Sequence, residues 1–283
     1  MLLADPDGPG APLSPEELMR AMSNDELVVL YQPKVESGSR RVVGAEALVR
    51  WQHPQRGLIA PRHFIELAEQ AGLIHRLGRW VLNRACAQLH EWHEGGNIDW
   101  GVAVNISPMQ LQHHDFGSQV RDALRRHRIL AEKLTLEVAE SCLMQQIDGC
   151  RDVLSDLFSD GIQIALADFG NGLSSLAHLK RLPVHEVKIS RVFIAEVDSN
   201  PIDSNIVSTI VTLGSILGLR IVAPGVDRKE QLHTVELLGC DQSQGLLHAP
   251  PITGSLFQRR FGTQCYALTG GGSPSAVTEV ASG

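Results

Sequence analysis

Strand-like and helix-like segments alternate along most of this chain, and this alternation restricts the possible folds more than any other feature. About eight short apolar segments have strand character, and most are separated by segments whose apolar residues recur at helical spacing. Such interleaving is typical of α/β proteins with a largely parallel sheet. The predicted strands are 27–35, 41–49, 101–107, 133–140, 162–169, 185–190, 219–223 and a segment near Gln244.

The helix candidates carry start and stop signals of their own. The segment 61–72 has a proline at its first position, and the segments 78–96, 203–218 and 228–239 end at glycines. Eight strands with intervening helices over ~240 residues favour a TIM (β/α)8 barrel. An open doubly wound sheet is the alternative, although the chain has neither a GxGxxG fingerprint nor a Walker A motif.

Composition limits the partners and the compartment. The chain has 283 residues, 43% of them hydrophobic, and a formal net charge of -7, which argues against nucleic-acid or anionic-membrane binding. Five cysteines without a CxxC pair favour reduced thiols and a cytoplasmic location. Neither a signal peptide nor a membrane span of ~18 apolar residues is expected. Residues 1–14 are predicted to be a flexible linker and 263–283 a flexible tail, flanking a barrel domain at 15–262.

Polar side chains gather at the ends of the predicted strands, where barrel enzymes place their sites. Carboxylate and amide oxygens suit Mg²⁺ or Mn²⁺, and a lysine among them suits a water or a phosphate. Arg50, just past its strand, suits a second phosphate. The strand-end residues are Glu46, Asn105, Glu137, Asp168 and Lys188.

Each of these residues also has an ordinary structural explanation. Glu46 suits a solvated strand end, Asn105 suits a helix cap, and Asp168 before a glycine-rich turn suits an Asx turn. Glu137 and Glu140 suit capping acids, and Lys188 suits a surface lysine. The coincidence of five such residues at strand ends favours a functional site over five separate structural roles.

At these residues the sequence resembles the EAL-domain family of cyclic-di-GMP phosphodiesterases. The resemblance covers roughly residues 20 to 257 and implies a modified TIM barrel whose first strand is antiparallel to the others. The matching motifs are GAEALVRWQHPQRGLIAP, FIELAEQAGLI, LGRWVLNRACAQLHEW, VNISPMQL, LTLEVAES, DFGNGLSSLAHLKRLPVHEVKIS and ELLGCDQSQG.

The resemblance also implies a chemistry and its residues. Active members of the family use two Mg²⁺ or Mn²⁺ ions to activate a water that opens one phosphodiester. Metal ligands carried over from the family are Glu46, Asn105, Glu137 and Asp168. Lys188 matches the lysine beside the catalytic water, and Glu140 matches the glutamate that supports the loop after the fifth strand.

Two positions depart from the family at the metal site. The first acid of the family's D-D-F-G run is Ala167, and the glutamate of its A-E-G-V-E run is Pro224. Neither side chain offers a lone pair to a cation. The sequence therefore predicts an incomplete metal set and negligible hydrolysis. Mg²⁺ or Mn²⁺ remains a possible cofactor, but none is expected to be required.

Three hypotheses follow: a non-hydrolytic cyclic-di-GMP receptor, a protein-interaction scaffold without nucleotide, and a residual phosphodiesterase giving the linear dinucleotide. The receptor is the main prediction. Asp227 replaces the second glutamate of A-E-G-V-E, and the groove rim differs at Leu173, His248 and Pro250. The predicted nucleotide-binding residues are Gln32, Leu48, Arg50, Asn105, Asp227 and Gln244.

A protein partner is expected, and a homodimer is consistent with the retained Glu140 and DFGNG turn. The histidines give no zinc prediction. His90 and His93 share a helix face and His113 is followed by His114, but no spacing of carboxylates or cysteines completes a tetrahedral set.

Overall fold

A closed barrel forms the centre of the molecule. A computed structural model of the chain describes residues 12–140, 147–171, 179 and 182–262. Nine strands form one sheet in the order β1-β9-β8-β7-β6-β5-β4-β2-β3, and β1 also pairs with β2, which closes eight of them into a ring. The strands are β1 Leu27–Glu36, β2 Val42–His53, β3 Gly57–Ile59, β4 Gly101–Ile106, β5 Leu134–Ala139, β6 Gln163–Phe169, β7 Glu186–Ile189, β8 Arg220–Pro224 and β9 Gln242–Gln244.

The direction of the strands confirms the predicted barrel and excludes the open sheet. β1 is antiparallel to both of its neighbours, β2 and β9. The pairs from β2 through β4 to β9 are all parallel. The eight predicted strands are all present, while β3 was not predicted; it forms a hairpin with the outer end of β2.

Helices surround the barrel and cover its outer surface. They are α1 Pro15–Ser23, α2 Ile65–Gln70, α3 Ile74–Glu94, α4 Pro108–Leu111, α5 Phe116–His127, α6 Ile147–Ser159, α7 Arg191–Ala195, α8 Pro201–Leu217, α9 Lys229–Leu237 and α10 Gly254–Phe261. Short 3-10 turns lie at Pro61–His63 and Ala131–Lys133. None of these described helices combines the length and apolarity needed to cross a bilayer.

The hydrophobic core lies between the helices and the outer face of the barrel. Trp92 of α3 stacks on Phe257 of α10 with ring centroids 4.7 Å apart, and its indole N–H donates to the Gly254 carbonyl at 3.1 Å. Gly44 lets β2 lie close to β4, because a Cβ at this position would come within 2.3 Å of the Gly101 carbonyl oxygen. This close packing brings the polar residues of β2 beside those of β4.

The predicted ends of the chain lie largely outside the described residues. Residues 1–11 and 263–283 are not described, nor are 172–178, which include most of the glycine-rich loop after β6. Ser14 caps α1, with its side chain accepting from the Glu17 amide at 3.2 Å while the Glu17 carboxylate accepts from the Ser14 amide at 2.9 Å. The assignment of 1–14 and 263–283 as linker and tail stays a prediction.

Candidate functional site

The Lys188 ammonium joins two buried carboxylates near the carboxyl ends of the parallel strands. Its Nζ donates to Glu46 Oε2 at 2.6 Å and to Glu137 Oε2 at 2.8 Å. These residues come from β7, β2 and β5, and all three are buried. The barrel therefore gathers side chains that lie far apart in the sequence around one positive charge.

Glu46 is the most heavily hydrogen-bonded of these groups. Besides Lys188, it accepts from Asn105 Nδ2 at 2.6 Å and from Gln244 Nε2 at 2.7 Å. Gln244 also donates to Gln32 Oε1 at 3.0 Å, and Gln32 donates to the Ala249 carbonyl at 3.2 Å. Thus five residues predicted from sequence for metal or nucleotide lie in one hydrogen-bonded network: Gln32, Glu46, Asn105, Glu137 and Gln244.

The two carboxylates differ in their affinity for a proton. Burial raises the pKa of Glu46, but the charge of Lys188 and hydrogen bonds from Lys188, Asn105 and Gln244 outweigh burial and lower it to about 2. Burial and the nearby Glu46 charge raise the pKa of Glu137. The charges of Lys188 and Lys34 lower it by less, so the net shift is upward. Burial lowers the pKa of Lys188. The charges and hydrogen bonds of Glu137 and Glu46 raise it by more than burial lowers it, so this lysine stays charged.

Two oxygens in the network have no hydrogen-bond partner within the part of the chain that the structure describes. They are Glu137 Oε1 and Gln244 Oε1, and both are inaccessible to solvent. A buried acceptor without a donor is costly, so each is a place where a donor or a cation would be stabilised. The raised pKa of Glu137 is consistent with a proton as one means of satisfying its oxygen.

The Ala167–Asp168 pair lies at an irregularity in the sheet. The register between β6 and β7 shifts between Leu166 and Phe169, and Asp168 has a left-handed backbone with φ of 55°. Such bulges redirect side chains at the ends of strands. Asp168 is exposed, whereas Ala167 is buried and pairs with Ala139.

Asp168 is not gathered with the other predicted metal ligands. Within the part of the chain that the structure describes, Glu46, Glu137 and Asp168 do not form a group of three with ligand atoms within 4.8 Å of one another. Glu140 has a separate role: its Oε2 accepts from the Gly170 amide at 2.8 Å and so holds the turn after β6. Its other oxygen, Oε1, is buried and has no hydrogen-bond partner among the described residues.

At the end of β8, Pro224 pairs in register with Gln244 and is buried. Three residues further on, the exposed Asp227 accepts from the Leu246 amide at 2.8 Å through Oδ1. Its Oδ2 lies 3.8 Å from Arg191 Nη2. Asp227 therefore links the loops after β8 and β9 at the rim and lies outside the network around Glu46.

Arg50 and Leu48 lie further along β2, and both are partly buried. Arg50 donates from Nη1 to the Val49 carbonyl at 2.8 Å, and among the described residues its other guanidinium N–H groups have no hydrogen bond and could meet a ligand. Beside Leu48 and Asn105 is a largely apolar cavity of about 400 Å³, whose wall includes Ile74 and Gln110. The site thus combines a polar floor, one arginine and an apolar cavity.

The residues present do not fit the two-metal centre implied by the resemblance. Ala167 and Pro224 supply no side-chain donor atom, and the Lys188 ammonium already lies between Glu46 and Glu137. A metal ion bound at the same carboxylates would be repelled by this ammonium group. We therefore derive no catalytic step through a metal pair in this chain.

A second charged group inside the barrel was not predicted from the sequence. Lys34 Nζ donates to Glu186 Oε1 at 2.6 Å, and Arg220 Nη1 donates to Glu186 Oε2 at 3.2 Å. The signal was available, because Glu186 is two residues before Lys188 and Lys34 is two residues after Gln32, and residues two apart in a strand share a face. This second group lies nearer the amino-terminal ends of the parallel strands than the group around Lys188.

Comparison of the sequence with known proteins finds a family model and several relatives that it matches. The chain matches the family model of the EAL domain over residues 15–251. The bifunctional diguanylate cyclase/cyclic di-GMP phosphodiesterase MucR of Pseudomonas aeruginosa is 45% identical over 236 residues, which cover 83% of this chain and 34% of MucR. The cyclic di-GMP phosphodiesterase NbdA of the same organism is 39% identical over 237 residues, covering 84% of this chain and 30% of NbdA. The chain spans about a third of the length of these relatives.

Solved structures show the same fold. A complex of the PaMucR phosphodiesterase with c-di-GMP has a TM-score of 0.83 and 44% identity, covering 86% of this chain and 98% of that one. The EAL enzyme Bd1971 bound to cAMP and cyclic-di-GMP has a TM-score of 0.83 and 29% identity, covering 87% of this chain and 67% of that one. The FimX EAL domain of Xanthomonas citri, with 23% identity and a TM-score of 0.77 over 84% of this chain and 92% of its own, shares the fold.

Proposed function

Because the chain belongs to the EAL-domain family, we propose that it acts in cyclic-di-GMP signalling as a receptor that binds the dinucleotide without hydrolysing it. One observation carries this proposal. The polar groups at the strand ends remain assembled around Glu46, while the two positions that would complete a metal pair are Ala167 and Pro224.

The absence of hydrolysis follows from the charge arrangement. Two-metal catalysis stabilises both the attacking and the leaving oxygen of the phosphodiester. Here Lys188 pairs with both Glu46 and Glu137 from within the barrel, so the acids keep their geometry without a metal. Nucleotide binding in this proposal requires no metal cofactor.

Binding relies on groups that the network leaves available. Arg50 has guanidinium N–H donors for a phosphate, and charge-assisted hydrogen bonds of this kind are the stronger ones. Gln244 Oε1 needs a donor, and Leu48 offers apolar contact beside the cavity. Asp227 at the rim can accept from the N–H edge of a guanine.

The decisive experiment is calorimetric titration of cyclic-di-GMP into the purified protein, once with chelator and once with Mg²⁺. The recovered nucleotide is then separated by chromatography. We expect micromolar or tighter binding in both buffers and intact cyclic-di-GMP afterwards. Arg50→Ala should lose binding, whereas Arg76→Ala, at an exposed position on α3, should keep it.

Linear dinucleotide that appears with Mg²⁺ and not with chelator would replace the receptor by a residual phosphodiesterase. That outcome would mean that Glu137 Oε1, Asn105 and Asp168 still recruit a metal despite Lys188. Absence of binding in both buffers would leave the protein-interaction scaffold as the function.

A protein partner, including a second copy of the chain, is supported by the surface of α8. Asp203 is the one charged residue of this helix, and Ile202 and Ile216 are 69% and 76% exposed. These two residues lie about four turns apart on one helix face. If the chain forms a homodimer here, sedimentation velocity should show a dimer that Ile202→Glu and Ile216→Glu convert to a monomer.

A further inference from the structure

Imidazole and carboxylate groups cluster on the loop between α4 and α5, outside the site described above. The ligand atoms of His113, His114 and Asp115 all lie within 4.8 Å of one another. Over the described ranges, this is the one such group of three His, Cys, Asp or Glu side chains. The sequence suggested no metal here, because the consecutive His113, His114 and Asp115 offer only three candidate ligands and His75 is distant in the sequence.

A fourth candidate ligand comes from a different element. His75 is the second residue of α3, and its ring centroid lies 4.6 Å from that of His113. The rings of His113 and His114 are stacked, also with centroids 4.6 Å apart. Three imidazoles therefore stand side by side, two from the loop and one from the start of α3.

The Asp115 carboxylate does not cap the helix that it precedes. It is the residue before α5, where aspartate side chains commonly cap the helix, yet it makes no side-chain cap hydrogen bond. Its Oδ2 lies instead 3.3 Å from His114 Nε2. The carboxylate thus faces the imidazoles rather than the free amides of its own helix.

We propose that His75, His113, His114 and Asp115 form a binding site for a transition-metal ion of the Zn²⁺ class. Three imidazole nitrogens and one carboxylate oxygen make a four-coordinate set of the kind that Zn²⁺ accepts. Mg²⁺ is the wrong ion, because it prefers oxygen ligands. The Asp115 amide donates to His113 Nδ1 at 3.3 Å, a long contact that a metal bound at Nδ1 would replace.

Side-chain rotation would be needed to bring the four ligands to one ion. Zn²⁺ binds nitrogen and oxygen at about 2.0–2.2 Å, so the ligand atoms of His113, His114 and Asp115, which lie within 4.8 Å of one another, need to approach, and His75 must turn its ring out of its contact with His113 to join them. The side chains of His114 and Asp115 are 83% and 52% exposed, which leaves them free to rotate.

An ion at this position would connect the start of α3 to the loop that follows α4. Ile74 precedes His75, and Gln110 precedes the loop; both belong to the wall of the 400 Å³ cavity beside Leu48 and Asn105. The metal would therefore hold two parts of that wall together. The metal site itself does not depend on the proposed nucleotide binding.

The test is a Zn²⁺ titration by calorimetry, on protein without a polyhistidine tag and in millimolar Mg²⁺ to fill hard oxygen sites. We expect one Zn²⁺ site of micromolar or tighter affinity in the wild type. His113→Ala/His114→Ala should weaken it by more than tenfold, since even the loss of an outer-shell partner costs about 10–100-fold. His75→Ala should weaken it by about tenfold.

The matched control is His233→Ala, an exposed histidine on α9, and its Zn²⁺ affinity should equal that of the wild type. Co²⁺ provides a second readout, because a four-coordinate site gives intense visible absorption that the double variant should lack. Unchanged Zn²⁺ affinity in the double variant, or the weak spectrum of six-coordinate Co²⁺ in the wild type, would overturn the proposal.

Discussion

Lys188 forms ion pairs with two neighbouring carboxylates, those of Glu46 and Glu137. It lies where members of the family are expected to bind metal. Its removal would leave Glu46 and Glu137 buried without a positive partner. We predict that Lys188→Met lowers the free energy of unfolding by about 3–5 kcal/mol, as for other broken buried ion pairs. Urea denaturation at pH 7 measures this, and a loss below about 1 kcal/mol would show that the acids are neutral without the lysine.

The two acids should respond differently to neutralisation. The fold lowers the pKa of Glu46 and raises that of Glu137, so it favours the charged form of the first and disfavours that of the second. Glu46→Gln is expected to destabilise the protein more than Glu137→Gln at pH 7. Urea denaturation compares the two, with the exposed Glu66→Gln as control, and the reverse order would contradict the assignment of charges.

The lowered pKa of Glu46 also makes the stability of the protein depend on pH in acid. Glu46 has a folded pKa of about 2, below its ordinary value of 4.5, so its stabilisation is present above pH 4.5 and is lost as the pH falls through 2. Between pH 5 and pH 2.5 the wild type should therefore lose stability more steeply than Glu46→Gln. Unfolding free energies measured across this range test the prediction, which parallel curves for the two proteins would refute.

Hydrolysis should return when the missing donors are supplied. Ala167 lies beside Ala139, a small residue, so an aspartate at 167 has a small neighbour in the adjacent strand. Ala167→Asp/Pro224→Glu is predicted to raise the rate of linear-dinucleotide formation in Mn²⁺ by at least about tenfold over wild type. The two single variants serve as controls; if the double variant shows no hydrolysis, the missing acids do not explain the inactivity proposed for the wild type.

At the level of elements, the end of β4 is fixed by the helix that follows it. Ser107 caps α4: its Oγ accepts from the Met109 amide at 3.3 Å, and its hydroxyl donates to Glu69 of α2. Ser107→Ala should lower the free energy of unfolding by about 1 kcal/mol. Chemical denaturation should show no comparable loss in Ser215→Ala, on the exposed face of α8.

The elements were largely predictable, because periodic apolar residues and terminal glycines determine strands and helices locally. β3 was missed since it is only three residues long and pairs outside the barrel. The bulge at Asp168 was not visible either, because a register shift depends on how β7 lies against β6. For this reason the sequence could align Asp168 with the metal ligands but could not show that its side chain is exposed.

At the level of the whole molecule, pairs that cross the barrel connect strands that are not neighbours. Lys34 of β1 and Glu186 of β7 are separated by β9 and β8 in the sheet. The two-residue spacing within each strand indicates that both side chains face the barrel interior, but it does not indicate that they contact each other. We predict that Lys34→Met alone costs about 3–5 kcal/mol of stability, since it leaves Glu186 with Arg220 only.

A double-mutant cycle tests this cross-barrel contact. Lys34→Met/Glu186→Met should be less destabilised than the sum of the single variants, because no uncompensated carboxylate remains. Urea denaturation of the four proteins gives the coupling energy, and simple additivity would show that the pair is not coupled in solution.

The pairing of β1 with β9 also imposes an order on synthesis. β1 leaves the ribosome before the other strands of the barrel, and its second partner, β9, emerges only after the seven strands between them. Until then β1 and β8 both present unpaired backbone edges, which are sites for wrong pairing. The nascent barrel therefore stays open for nearly the whole of its translation, and a chaperone that shields strand edges would act on it during this interval.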